Sequence, residues 1–255
     1  MTSDLSTDLV ARLRAAGCVF AEDEARLLLE AATTPLELAT MATRRAAGVP
    51  LEHVLGWAAF LGLRIAVEPG VFVPRRRTEF LAREAIRRAR RGAVVVDLCC
   101  GSGAVAASVA VAVPDVDLSA ADIEPAAVRC ARRNVHGAVY EGDLYDALPH
   151  RLRGRIDVLV ANVPYVPSGE VALLPPEARE YEPRVALDGG ADGLDVLRGV
   201  LAGAGEWLAP GGHLLSEMST RQTGAAAALF AAAGLTPEVT TDDSLSATVV
   251  TGTAP

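Results

Sequence analysis

The chain has 255 residues, 51% of them hydrophobic, which suits one large or two modest domains with an ample core. Its formal net charge of −8 at pH 7 excludes a general electrostatic footprint for DNA or RNA. No apolar run reaches the roughly 18 residues of a membrane helix, and the N-terminus shows no signal-peptide pattern.

Residues 1–56 are predicted to form a small helical domain. Leu9, Leu13 and Leu28 recur at helical spacing, and Pro35 suits the first turn of a further helix. A module of this size buries little apolar surface alone, so we expect it to pack on the rest of the chain. It carries no candidate catalytic residue. Contact with a partner and a purely structural role both stay open.

Residues 57–73 are predicted to form a β-hairpin that links two domains. Leu63, Ile65 and Val67 alternate with polar or small residues, and Glu68–Gly70 then turns the chain before the alternation resumes.

The remaining segment, residues 74–255, begins with a basic cluster. Thr78 is predicted to cap a helix that runs to about residue 91. The preceding Arg75, Arg76 and Arg77 form either a solvated loop or a contact with an acidic partner or a ligand carboxylate.

From Ala93 onward strands alternate with helices, which predicts a parallel α/β sheet. The first strand carries Asp97 and leads into a glycine-rich turn with Gly101 and Gly103. Glycine allows a tight turn and a close approach of the backbone to a ligand.

Two more acids end the next strands of this sheet. Asp122 lies where an acid can accept hydrogen bonds from a ribose diol, and Asp143 is placed for an adenine amino group. Asp97 would repel a pyrophosphate, although it could bind a cationic amino acid. These acids therefore predict S-adenosylmethionine as the cofactor in preference to NAD.

The fourth strand ends at Asn162-Val163-Pro164-Tyr165, which we call the N-V-P-Y loop. Asn162 offers a side-chain carbonyl at the strand's carboxyl end, and Pro164 holds the Val163 carbonyl extended beside it. Two fixed acceptors match a planar group that bears an NH2. The loop is predicted to bind an amide or amino nitrogen as nucleophile; an asparagine that only terminates a strand is the alternative.

The proline-rich segment 166–190 is predicted to be a long irregular lid or binding loop. Its acids are expected to be solvated: Glu170, Glu177, Glu180 and Glu182. Glu217 ends a later strand and is a candidate for indirect support of the site. The four cysteines have no metal-ligand spacing, so we predict no metal site, and a reducing, cytoplasmic setting for a monomer.

With these residues in view, the chain resembles the PrmC/HemK family of protein glutamine-N5 methyltransferases. The resemblance runs from about residue 44 to 253 and includes "PLEHVLGWAAFLGLRIAVEPGVFVPRRRTEF", "VVDLCCGSGAVA", "ADIEPAAVRCARRNV", "GDLYDALP", "ANVPYVP" and "EPRVALDGGADGLDVLRGVL".

The resemblance implies a class I S-adenosylmethionine-dependent methyltransferase, with a Rossmann-like seven-stranded sheet and a helical N-terminal substrate-recognition domain. It implies methyl transfer to a glutamine side chain, the best known family substrate being the GGQ loop of peptide release factors. The implied cofactor residues are Asp97, Gly101, Gly103, Asp122, Asp143, Leu144 and Asn162. The substrate amide would lie on Asn162, Val163, Pro164 and Tyr165, with the Tyr165 ring packed against it.

The sequence departs from the family pattern at several positions. Val163 replaces the first proline of N-P-P-Y, Cys99 replaces a glycine, and "PRRRTE" replaces P-R-P-E-T-E. These departures indicate a divergent paralogue.

Two other functions remain open on the sequence. One is a nucleic-acid N6-adenine methyltransferase, since an adenine amino group fits the same acceptors; the acidic charge argues against it. The other is a catalytically weak cofactor-binding protein.

Overall fold

The N-terminal part of the chain is a small helical domain with its own core. The computed structural model describes residues 2–255, with side chains from residue 6 onward; Met1, the first residue of the predicted helical domain, lies outside them. The helices are α1 (Thr2–Ala15), α2 (Ala21–Ala31), α3 (Pro35–Ala46) and α4 (Leu51–Leu55). Leu13, Leu28 and Met41 pack in one apolar cluster because helical spacing places them on facing stripes.

A β-hairpin follows, but its turn lies earlier than predicted. Strands β1 (Trp57–Phe60) and β2 (Leu63–Ala66) pair antiparallel around Leu61 and Gly62, which both have positive φ. Two consecutive left-handed residues form the tight turn that matches strand twist. The chain also turns at Glu68–Gly70 as predicted, with the Val71 N–H donating to the Glu68 carbonyl at 3.1 Å, but this turn does not close the hairpin. The hairpin turn was missed because apolar Leu61 continues the alternation.

The main sheet has seven strands within residues 2–255, in the order β5-β4-β3-β6-β7-β9-β8. β9 runs antiparallel to both of its neighbours, β7 and β8, and the other six strands share one direction. The strands are β3 (Val94–Leu98), β4 (Asp117–Asp122), β5 (Ala138–Glu141), β6 (Ile156–Ala161), β7 (Leu208–Glu217), β8 (Thr236–Asp242) and β9 (Ala247–Thr253). The strand order reverses between β3 and β6, and ligands bind at such a switch point. The predicted class I methyltransferase sheet is confirmed.

Helices cover both faces of this sheet and create two cores. The covering helices are α5 (Thr78–Arg88), α6 (Ala104–Ala112), α7 (Pro125–Asn134), α9 (Asp195–Trp207) and α10 (Thr223–Ala232), whereas α8 (Pro176–Tyr181) lies in the segment 166–190. Along β3, Val94 and Val96 enter one core while Val95 enters the other. Successive strand residues point to opposite faces, so a strand that is apolar on both faces needs a helical layer on each side.

The segment 166–190 is more ordered than predicted, since it contains α8. Glu182 is buried, and its carboxylate accepts the Val73 N–H at 3.1 Å and pairs with Arg75 at 2.5 Å. The prediction that Glu182 is solvated was therefore wrong. Nor is Glu177 free in solvent, because it pairs with Arg45 of α3 at 2.7 Å.

No helix in the part of the chain that the structure describes is both long and apolar enough to cross a membrane.

Candidate functional site

One cavity of about 230 Å³ opens at the carboxyl ends of the central strands. Its wall includes every predicted cofactor and substrate residue except Gly103, namely Asp97, Gly101, Asp122, Asp143, Leu144, Asn162, Val163, Pro164 and Tyr165. Parallel strands end at the same edge of a sheet, so residues far apart in sequence converge there.

The turn between β3 and α6 uses left-handed backbone at Cys99, Gly101 and Gly103. A side chain at Gly103 would collide with Ala131 and Val135 of the α7 region. Gly103 is therefore required by its left-handed backbone and by helix packing, and it does not touch the cavity. Gly101 is different, because a Cβ there would meet open space.

Asp97 is a buried acid in the cavity wall. It is 2% exposed, and its carboxylate accepts the Ala106 N–H at 3.1 Å. Burial raises the pKa of Asp97 from 3.8 to about 7, with the nearby Asp122 charge adding to the effect. A cationic ligand group would remove this penalty, so the site suits an ammonium.

Asp122 is held rigidly by the backbone around it. One carboxylate oxygen accepts the Gly101 N–H at 2.8 Å and the other accepts the Glu124 N–H at 2.9 Å. Burial raises the pKa of Asp122, and these hydrogen bonds oppose the rise. Each oxygen keeps a second lone pair for a ligand hydroxyl.

Asp143 precedes a 3-10 turn that begins at Leu144, whose φ is 44°. A left-handed non-glycine residue is uncommon and marks a backbone that its surroundings hold in place. Leu144 lines the cavity next to Asp143.

Asp97 on β3, Asp122 at the end of β4 and Asp143 after β5 all line this cavity, and Arg77 is the basic residue among its described lining residues. These three carboxylates can accept hydrogen bonds from an ammonium, a ribose diol and an adenine amino group, and they would repel a pyrophosphate. The chemistry of these residues therefore fits S-adenosylmethionine. No cluster of metal-ligating side chains occurs within residues 2–255.

The N-V-P-Y loop follows β6 and faces the same cavity. Val163 is 3% exposed, and its side chain lies in the core on one face of the sheet. The Tyr165 carbonyl accepts a hydrogen bond from Gln222 Nε2 at 2.9 Å. The loop is therefore fixed at both ends, by core packing and by a side-chain hydrogen bond.

The part of the cavity beside Tyr165 contains residues that the sequence analysis missed or treated as minor candidates. Arg77 Nε donates to Glu217 Oε1 at 2.9 Å, and the Tyr165 hydroxyl donates to the same oxygen at 3.2 Å. Burial alone lowers the pKa of Arg77, but Tyr165 and Glu217 raise it above its ordinary value. Burial also raises the pKa of Tyr165 to about 12.

The sequence feature that indicated Glu217 as a site residue is its position at the carboxyl end of β7, which lies beside β6. Thr78 does not cap α5 as predicted: Arg77 holds the cap position, and no hydrogen bond is found from the Thr78 hydroxyl among the described residues.

Comparison with known proteins gives the following likenesses. Residues 62–173 match the family model described as a methyltransferase small domain. A release factor glutamine methyltransferase from Geobacter sulfurreducens is 40% identical over 217 residues, which cover 82% of this chain and 75% of that protein. A 4-amino-L-phenylalanine/4-methylamino-L-phenylalanine methyltransferase from Streptomyces pristinaespiralis is 41% identical over 201 residues, covering 75% of this chain and 68% of that protein. The solved structure of a methyltransferase from Pyrococcus furiosus has a similar fold, with a TM-score of 0.57 at 16% identity over 76% of this chain and 90% of that one.

Proposed function

Because the chain belongs to the release factor glutamine methyltransferase (PrmC/HemK) family, we propose that it methylates the side-chain amide nitrogen of a glutamine in a protein. It is a methyltransferase, and S-adenosylmethionine is its methyl donor. The observation that carries the proposal is the N-V-P-Y loop in the same cavity as Asp97, Asp122 and Asp143. A peptide release factor is the first substrate to test.

The proposed chemistry is mainly one of positioning. S-adenosylmethionine, when bound, supplies an electrophilic methyl group on a sulfonium. A glutamine amide nitrogen is a poor nucleophile because its lone pair is delocalised into the carbonyl. Asn162 Oδ1 and the Val163 carbonyl would each accept one N–H, which aims the nitrogen and stabilises the positive charge that develops on it. Orientation of this kind supplies roughly 7–11 kcal/mol in favourable cases.

Val163 is compatible with this role even though the family pattern has proline there. The proposed acceptor is its backbone carbonyl, which the substitution retains. Its side chain is buried in the core, so packing holds the peptide unit where a proline ring would restrict it. Pro164 still confines the backbone of Val163 to extended conformations.

The first experiment is a labelling assay with methyl-labelled cofactor and a proteome, with and without added release factors. Mass spectrometry identifies the modified residue, and Asn162→Ala serves as the inactive control. Label on glutamine in protein supports the proposal. Label on adenine would replace it with the nucleic-acid alternative, and cofactor binding without any transfer would leave only the cofactor-binding alternative.

A second candidate is methyl transfer to the aromatic amino group of a free amino acid. The relative from Streptomyces pristinaespiralis carries that activity in its name. Arg77, a cation beside the N-V-P-Y loop, favours this candidate, because a free amino acid brings a carboxylate into the cavity. Turnover with 4-amino-L-phenylalanine and the purified protein tests it directly.

We further propose that α1–α4 contact the protein substrate and that residues 1–56, 57–73 and 74–255 act as recognition, linking and catalytic units. The ion pair between Arg45 and Glu177 joins the helical domain to α8 beside the cavity. We also propose a monomer in the cytoplasm, in keeping with four cysteines that are free thiols in the described chain. Light scattering and cell fractionation test these two points.

A further inference from the structure

The peptide bond that leads into the N-V-P-Y loop is held by a side chain from the neighbouring strand. Val160 of β6 and Leu215 of β7 are the last residue pair of the ladder between these two strands. The next residue on each strand continues the link, because the Ser216 hydroxyl donates to the Ala161 carbonyl at 2.7 Å. Ser216 and Ala161 are both fully buried. A buried hydroxyl is costly unless it is hydrogen-bonded, so we expect this contact to persist.

This hydrogen bond acts on Asn162 through the backbone. The Ala161 carbonyl and the nitrogen and Cα of Asn162 belong to one planar peptide unit. Fixing the carbonyl therefore fixes the direction in which Asn162 leaves the sheet. Ser216 lies outside the described cavity lining, whereas Asn162 is part of it. Ser216 thus reaches a bound acceptor through Asn162 and not by direct contact.

Val163 makes the loop more dependent on such outside contacts. Proline at this position, as in the family pattern, would confine its own φ and bias Asn162 towards extended backbone. Val163 imposes neither restriction, and no hydrogen bond from its N–H is found within residues 2–255. Its side chain packs in the core, while the peptide unit before Asn162 is held by Ser216.

The same part of the chain also holds the far end of the loop. The Tyr165 hydroxyl donates to Glu217 Oε1 at 3.2 Å, and Gln222 Nε2 donates to the Tyr165 carbonyl at 2.9 Å. Residues 216–222 therefore contact both ends of the N-V-P-Y loop. The contact at the start of the loop, where the proposed acceptors lie, is the Ser216 hydroxyl.

We propose that Ser216 is a positioning residue for methyl transfer: by fixing the Ala161 carbonyl, its hydroxyl sets the direction of Asn162 and so aims the acceptor nitrogen. This inference rests on the proposed transfer to a nitrogen held by the N-V-P-Y loop. It applies to an amide and to an aromatic amine, because both present an NH2 to the same two oxygens. Small displacements in a reacting geometry cost large factors in rate, so kcat is the constant that should respond.

Steady-state turnover and amide hydrogen exchange on the full chain test the inference. The acceptors are a peptide release factor and 4-amino-L-phenylalanine, each with saturating S-adenosylmethionine. Ser216→Ala should lower kcat about tenfold for the acceptor that the wild-type protein methylates, while the calorimetric Kd for the cofactor stays within about twofold. Amide exchange in the segment that contains Asn162 and Val163 should become about fivefold faster, because the preceding peptide has lost its hydrogen bond.

Ser119→Ala is the matched control. Ser119 lies on β4 of the same sheet and is buried, but its hydroxyl has no hydrogen-bond partner among the described residues. Each substitution removes one buried serine hydroxyl, and only Ser216→Ala removes a contact of the N-V-P-Y loop. Ser119→Ala should therefore leave both kcat and the exchange of that segment unchanged.

Val163→Pro separates positioning from a purely structural role of Ser216. Proline restricts the same stretch of backbone covalently. The loss of kcat caused by Ser216→Ala should therefore shrink from about tenfold to about threefold in a Val163→Pro background. Each loss is measured within one background, so the comparison holds even if Val163→Pro itself changes turnover. A purely structural role would give the same loss in both backgrounds.

Three results would each overturn the inference: a kcat of Ser216→Ala within about twofold of wild type, an equal loss in Ser119→Ala, or the same loss in both backgrounds. Failure of the proposed function looks different, because the wild-type protein would then not methylate glutamine. The variants are compared in that case with the aromatic amine. If the wild-type protein methylates neither acceptor, amide exchange decides, and unchanged exchange in Ser216→Ala overturns the inference.

Discussion

We expect the buried carboxyl of Asp97 to make cofactor binding depend on pH. In the cofactor-free fold its pKa is about 7, because burial disfavours the charged form. In its proposed role, Asp97 binds the cofactor's ammonium in the charged form, so a protonated Asp97 would first have to lose its proton. With a pKa near 7, about 3% of Asp97 is charged at about pH 5.5 and about 75% at about pH 7.5. We therefore expect cofactor affinity to rise roughly 25-fold between these two pH values.

The Asp97 carboxyl also affects the stability of the cofactor-free protein. Its contribution to stability falls as the pH rises, whereas the expected cofactor affinity increases. The folded-state pKa of Asp97 lies above its unfolded value of 3.8, so its stabilising contribution is fully present below about pH 4 and is lost as the pH rises through about 7. Between about pH 5.5 and 7.5 this loss amounts to about 2 kcal/mol. The cofactor-induced rise in Tm should therefore be larger at the higher pH.

Calorimetric titration with S-adenosylmethionine at the two pH values measures the first effect, and thermal unfolding with and without cofactor measures the second. Asp97→Asn is the control, since it is close to Asp97 in shape and cannot titrate. We expect this variant to bind the cofactor weakly and with little pH dependence. Any pH dependence that remains would come from Asp122, because burial also raises the pKa of that carboxyl. Wild-type affinity that is equal at both pH values would refute the role given to Asp97.

Three further substitutions test other parts of the site. Asn162→Ala should abolish methyl transfer while the Kd for cofactor stays within about tenfold; measurable turnover would end the paired-acceptor mechanism. Asp122→Ala should weaken cofactor binding by roughly 1–3 kcal/mol in calorimetry, and an unchanged Kd would make this acid merely structural. Gly103→Ala should lower the free energy of unfolding in denaturant melts by roughly 1–3 kcal/mol, since it strains a left-handed backbone and collides with α7. Gly169→Ala, where a Cβ meets open space at ordinary φ, should cost far less, and equal costs would contradict this reading.

Much of the site follows from local patterns. An apolar run that stops at a polar residue marks the end of a buried strand, which located Asp97, Asp122 and Asn162 at one edge. The parallel-sheet rule then brings them together without any knowledge of side-chain packing. The cavity lining bears out this convergence.

The wrong predictions share one cause: a local sequence pattern does not specify which distant residues a side chain will contact. Leu61 reads as a strand residue but forms the hairpin turn. Glu182 reads as solvated, yet the fold brings Arg75 and the Val73 N–H to it from 107 and 109 residues away in the chain. Thr78 reads as a helix cap, and its hydroxyl instead lies buried in the cavity wall.

The amino-acid sequence by itself determined the alternation of strands and helices, the positions of the acids proposed to bind the cofactor, and the position of the loop proposed to hold the amide. Each of these depends on spacing within a short segment. Tertiary structure alone decided how Arg77 is oriented, because its partner Glu217 lies 140 residues further along the chain and meets it only when α5 packs beside β7. The same packing leaves Thr78 Oγ1 and Glu217 Oε2 buried without partners among the described residues. Spacing within short segments therefore predicts the proposed cofactor and amide sites, whereas the contact between Arg77 and Glu217 forms only in the folded molecule.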